Sequence, residues 1–134
     1  MSHLFKHFQA ERINTIEPQT TTYYLNSSDS GSIIFCDPSN NYGSNLFLPM
    51  LPTIDTINKT NKGLNFTIIL KNVGTNEFTL NSINEASITP VNLMYGEGVP
   101  QANDNDGFKT LKIEASNQKK GDRINCISDG KYWY

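Results

Sequence analysis

From about Thr21 onward, short apolar runs recur along the chain at 23–25, 33–36, 46–48, 64–70, 78–80, 88–91, 93–95, 111–115, 124–127 and 132–134. Turn clusters separate them, among them Asp37-Pro38-Ser39-Asn40-Asn41-Tyr42-Gly43, Asn72-Val73-Gly74-Thr75-Asn76 and Gly96-Glu97-Gly98. Gly supplies positive φ angles, Pro presets a turn, and Asn, Asp and Ser bond locally to the backbone, so such clusters end strands. Runs this short at this spacing predict an all-β fold: a single-domain antiparallel β-sandwich with jelly-roll connectivity. No internal repeat of fixed period is visible, which argues against a solenoid or propeller.

The run Leu64-Asn65-Phe66-Thr67-Ile68-Ile69-Leu70-Lys71 begins as a strict alternation and then turns wholly apolar. It predicts a central strand passing from one-sided to two-sided burial. At the far end, Ile124, Cys126 and Ile127 stand among Arg123, Asn125 and Ser128, followed by Asp129-Gly130. That dipeptide marks a tight hairpin, entered through a turn at Gly121-Asp122. Tyr132, Trp133 and Tyr134 supply the apolar surface that would hold it down, with Trp133 as the folding anchor.

The first residues read differently. Leu4, Phe5, Phe8 and Ile13 lie among Lys6, His7, Gln9, Glu11 and Arg12, a pattern of one or two turns of amphipathic helix ending before Pro18. A helix this short is marginal alone in water, so the stripe should order only against a partner. The expected division is an N-terminal arm, 1–20, serving as a docking or interface segment, and a β-domain, 21–134.

The ending Gly121-Asp122-Arg123-Ile124-Asn125-Cys126-Ile127-Ser128-Asp129-Gly130-Lys131-Tyr132-Trp133-Tyr134 resembles the Gly-Asp…Ser-Asp-Gly-x-x-Trp close of small β-modules of phage and large DNA virus tail fibres, spikes and capsid decorations. More loosely, Ser30-Gly31-Ser32-Ile33-Ile34-Phe35, Leu46-Phe47-Leu48-Pro49 and Gly63-Leu64-Asn65-Phe66 follow the upstream strands of such modules, and residues 50–62 form a longer link than is usual there. The resemblance implies a virion component that self-associates, as a homotrimer or else a pentamer, and contacts other capsid or tail proteins.

Composition narrows the alternatives. At 134 residues and 15.0 kDa there is room for one core. A net charge of −2 gives no basic footprint for nucleic acid, and Lys119-Lys120 with Arg123 reads as a solvated turn. No run approaches a membrane span, and the first residues lack the apolar core of a secretory signal, so synthesis in the host cytoplasm is expected. Cys36 and Cys126 fall inside expected strands, which predicts buried free thiols.

Candidate chemistry is sparse. His3 and His7 could share one helix face but supply only two metal ligands, and the β-region holds no histidine for a cupin-type centre or a Ser-His-Asp triad. Asn103-Asp104-Asn105-Asp106-Gly107 imitates a calcium loop, yet with Gly107 at the sixth position Ala102 and Ile113 fall where ligands are required. Gly96 and Gly98 precede Val99-Pro100-Gln101, which does not open a phosphate-binding helix. Glu97, Asp104 and Asp106 are the neighbouring loop acids that an enzyme acting on polysaccharide would need. The expectation is no enzyme, no catalytic residue, no metal and no cofactor. Tyr42, Tyr95, Tyr132 and Tyr134 could stack on sugars, although strand tyrosines also serve as core edges and subunit contacts. Two functions follow as expectations: a structural virion protein attached by its arm, or a carbohydrate- or receptor-binding module that recognises a host surface.

Overall fold

The structure, a computed structural model, describes residues 13–51, 62–82, 93–96 and 107–134. Its strands are β1 (Thr15–Ile16), β2 (Thr22–Tyr24), β3 (Ile33–Cys36), β4 (Asn45–Phe47), β5 (Lys62–Leu70), β6 (Phe78–Asn81), β7 (Thr110–Ile113) and β8 (Arg123–Asp129). The fold is all-β, and all the strands but β1 fall on or beside the apolar runs. The run at 88–91 lies outside the described residues, and the run at 93–95 contributes a single bridge residue, Met94.

Two four-stranded sheets result, in the orders β1-β3-β5-β8 and β2-β4-β6-β7. The chain crosses from one sheet to the other after each of the first five strands, returning each time in the same direction. Hence β1–β3, β3–β5, β2–β4 and β4–β6 are parallel, and only β5–β8 and β6–β7 are antiparallel. This corrects the expected antiparallel pairing. Alternating residues reveal which face a strand buries but not which way its neighbour runs, and the turn clusters at 37–43 and 72–76 are corners between sheets. The path is that of a coil, although no repeat announced it. Thr15 pairs with Ile33 and Ile33 with Thr67, while Thr22 pairs with Asn45 and Asn45 with Thr79. The turns are therefore unequal in length and leave no fixed period.

The inner faces meet in one core, where Ile34, Cys36, Phe66, Ile68 and Leu70 from one sheet join Leu46, Phe78 and Leu80 from the other. β5 is central in its sheet, as expected. Its alternation, however, runs to the end: Leu64, Phe66, Ile68 and Leu70 are buried, while Ile69 points outward beside Phe35, its register partner, and stays partly exposed. The second apolar side is a groove, not a covered face. Both cysteines are free and buried, and burial pushes each thiol up to about 12.

Stacked corners hold one flank of the coil. Gly43 N–H donates to the Thr20 carbonyl (2.7 Å), Asn76 Nδ2 to the Pro38 carbonyl (2.8 Å), and Gln118 Nε2 to the Asn76 carbonyl (2.8 Å). The centre of this stack is Asp37, whose carboxylate accepts from Ser39 Oγ (2.5 Å), Asn40 Nδ2 (2.9 Å) and Asn72 Nδ2 (3.2 Å). The Ser39 hydroxyl, helped by the Asn40 and Asn72 amides against the opposing effect of burial, holds its pKa down from 3.8 to about 2. A folded-state pKa below the unfolded one contributes stability that is present above pH about 4 and is lost as pH falls toward about 2. Asp37→Asn is expected to cost about 1–2 kcal/mol at neutral pH. Melting curves should also show the gap between variant and parent closing as pH drops through that window; a constant gap would remove the carboxylate from the account.

The β-structure begins earlier than Thr21. Thr15 and Ile16 pair with Ile33 and Ile34, Pro18 is buried, and Lys71 Nζ lies 2.8 Å from Glu17 Oε1. The expected arm boundary at residue 20 is corrected accordingly, because a two-residue edge strand has too short a pattern to be seen. Leu4, Phe5 and Phe8 lie outside the described residues; Ile13 is 62 % exposed. Deleting residues 1–17 removes β1 and should cost about 1–3 kcal/mol from its few backbone hydrogen bonds. An unchanged melting temperature would show that β1 adds nothing.

Candidate functional site

At the end of the two sheets, β7 and β8 are edge strands, and the gap between them is closed by chain from three places. Met94 N–H donates to the Phe108 carbonyl (2.8 Å) and Phe108 N–H returns to Met94 (2.9 Å). Tyr95 N–H donates to the Trp133 carbonyl (2.8 Å) and Trp133 N–H to the Leu93 carbonyl (2.9 Å). A short extended segment is thus clasped on one side by Phe108 and on the other by Trp133.

Trp133 is delivered there by the hairpin that the sequence predicts. Gly130 takes a φ of 99°, Ser128 pairs with Trp133, and Ile127 and Tyr134 exchange both backbone hydrogen bonds, at 2.9 and 2.8 Å. Asp129 fixes the turn by accepting from the backbone N–H groups of Lys131 (2.8 Å) and Tyr132 (2.7 Å) and from Tyr134 Oη (3.1 Å). Burial works to raise its pKa, but the Tyr132 and Lys131 amides and the Tyr134 hydroxyl outweigh it and hold the carboxyl below its ordinary value. The Tyr134 phenol is shifted upward, by burial and then by its bond to Asp129.

Around this clasp the aromatics gather. Trp133 is 1 % exposed with its ring centroid 6.0 Å from that of Phe66. Above it, the Tyr95 ring meets Tyr132 edge-on at 5.4 Å and lies nearly parallel to Tyr134 at 5.8 Å. Lys131 Nζ sits 5.1 Å from the Tyr132 ring centroid. Beside these rings opens a cavity of about 230 Å³, lined by Met94, Tyr95, Arg123, Asn125, Trp133 and Tyr134 among others. Trp133 Nε1 is buried and makes no hydrogen bond among the described residues.

Of the four tyrosines singled out in the sequence, Tyr95 and Tyr134 line the cavity and Tyr132 packs on Tyr95. Tyr42 belongs to the β3–β4 corner, where it pairs with Asp37. Arg123, read from sequence as part of a solvated turn, is exposed but lines the cavity mouth. No sequence signal places it there, because its role depends on β8 being an edge. His3, His7, Glu97 and the acids of the calcium-like loop lie outside the described residues. Among the described residues no three His, Cys, Asp or Glu side chains come together as a metal site, and no helix is long and apolar enough to cross a membrane.

A second hollow, a groove of about 330 Å³, runs over Phe35 and Ile69 on the outer face of the first sheet, flanked by Glu17, Lys71 and Lys120. It gathers no convergent polar groups comparable to those around the aromatic cavity. Comparison of the chain with protein-family models, curated proteins and solved structures gives no match.

Proposed function

We propose that this chain is a non-enzymatic structural module of a viral particle, made in the host cytoplasm, that binds host-surface carbohydrate through the aromatic cavity. The observation that carries the binding role is the convergence of Tyr95, Tyr132 and Tyr134 beside a cavity floored by Trp133. Sugar rings present C–H faces that stack on aromatic rings and hydroxyls that need polar partners, and Asn125 and Arg123 line the same cavity. The viral setting rests on the resemblance of residues 121–134 to the close of fibre, spike and decoration modules.

In this reading the two sheets are the layers of a sandwich, wound as a coil in place of a jelly roll, since jelly rolls are built from antiparallel strands. The module forms a symmetric oligomer, a trimer first and a pentamer as the alternative, and the stripe Leu4, Phe5, Phe8 and Ile13 attaches it to capsid or tail proteins. A glycan array probed with the purified protein tests the binding role. Recognition of a defined set of sugars is expected, and an empty array would leave only an architectural part. Mass spectrometry of purified virions tests the setting, which falls if the chain is absent from them.

A further inference from the structure

The polar groups around the cavity are not evenly matched. Arg123 is the charged side chain of its lining, and among the described residues its guanidinium makes no ion pair or hydrogen bond. Asn125 has its Oδ1 occupied by the Thr67 hydroxyl at 3.2 Å, leaving its NH₂ to donate. Arg123 and Asn125 therefore bring two donor groups to the cavity lining with no acceptor for them among the described residues, and one of them carries a full positive charge in a protein of net charge −2. A guanidinium fork fits a carboxylate or sulfate through two parallel hydrogen bonds.

We propose that the cavity takes a single anionic sugar residue, with the carboxylate or sulfate on Arg123 and the ring against Tyr95 and Tyr134. The inference rests on the carbohydrate reading above and sharpens it. The volume agrees with one ring: about 230 Å³ is below the roughly 300–1,000 Å³ of sites for drug-sized ligands. A phosphate-type anion alone would use Arg123 and leave the aromatic rim without a partner, whereas a neutral sugar would leave the guanidinium without one.

The test is calorimetric titration of the full chain with the methyl glycosides of N-acetylneuraminic acid, glucuronic acid, 6-sulfogalactose and galactose. The expected result is at least a tenfold preference for one or more of the acidic sugars over galactose, shrinking as salt is raised. Which acid wins distinguishes carboxylate from sulfate. Arg123→Gln should abolish the preference with an unchanged melting temperature, since the side chain is exposed, and Arg123→Lys should retain part of it. Equal affinity for acidic and neutral sugars would overturn the anionic assignment while leaving the carbohydrate reading intact. A preference that survives in Arg123→Gln would remove Arg123 from the site. No binding to any of the four would overturn both.

Discussion

Trp133→Ala is expected to leave this protein unfolded or insoluble. The indole is 1 % exposed, packs against Phe66, and carries the backbone pairs that clasp Leu93 and Tyr95. Burying a side chain of this size removes on the order of 200 Å² from water, worth about 5 kcal/mol as an upper figure. Truncations of large aromatics in cores cost about 3–5 kcal/mol, against a typical domain stability of about 5–15 kcal/mol. The loss also opens the end of the core, because Met94 and the cavity wall rest on the same residue. Trp133→Phe keeps most of the apolar volume and should fold with a lower melting temperature by circular dichroism. If Trp133→Ala melts with the parent, the closing role assigned here is wrong.

The second large effect is expected at Gly74. A Cβ there would lie 2.8 Å from both Cα and Cβ of Ser39, closer than carbon atoms approach without displacement. Ser39 has little room to retreat, since its hydroxyl is held by Asp37, which in turn is bound by Asn72 on the corner that carries Gly74. Gly74→Val should therefore cost about 3 kcal/mol, at the upper end of overpacking penalties. In denaturant titrations, Ser39→Gly removes one of the two clashing atoms, so combining the two substitutions should recover part of the loss. Additive effects would mean that the two corners do not press on each other.

These two positions differ in how plainly the sequence spoke. Trp133 sits after Asp129-Gly130 at the end of an alternating run, and local turn chemistry is enough to fold that hairpin back. The strands were legible for the same reason: Leu64, Phe66, Ile68 and Leu70 mark a buried face whatever their neighbours do. Gly74 looked like any turn glycine, because its constraint comes from Ser39 on another turn of the coil. Strand direction was hidden likewise, since Ile33 reads identically beside a parallel or an antiparallel Thr67. Of the cavity, the aromatic types could be named in advance, but their meeting depends on the Leu93–Tyr95 clasp. Arg123 gained its place only through the edge position of β8.

The pairing of β5 has a kinetic consequence. Its partners are Ile33–Cys36 on one side and Arg123–Ile127 on the other, so Phe66 waits for Cys126 before that flank is covered. Parallel and distant pairings carry a large loop-closure cost before they are rewarded, which places folding in the millisecond-to-second range of β-rich domains. During that interval Leu64 to Leu70 stands as an apolar strand with one bare edge, the kind of segment on which chains associate. Refolding yield should fall as protein concentration rises, and a peptide copying β8, supplied in trans, should restore part of it by covering that edge first.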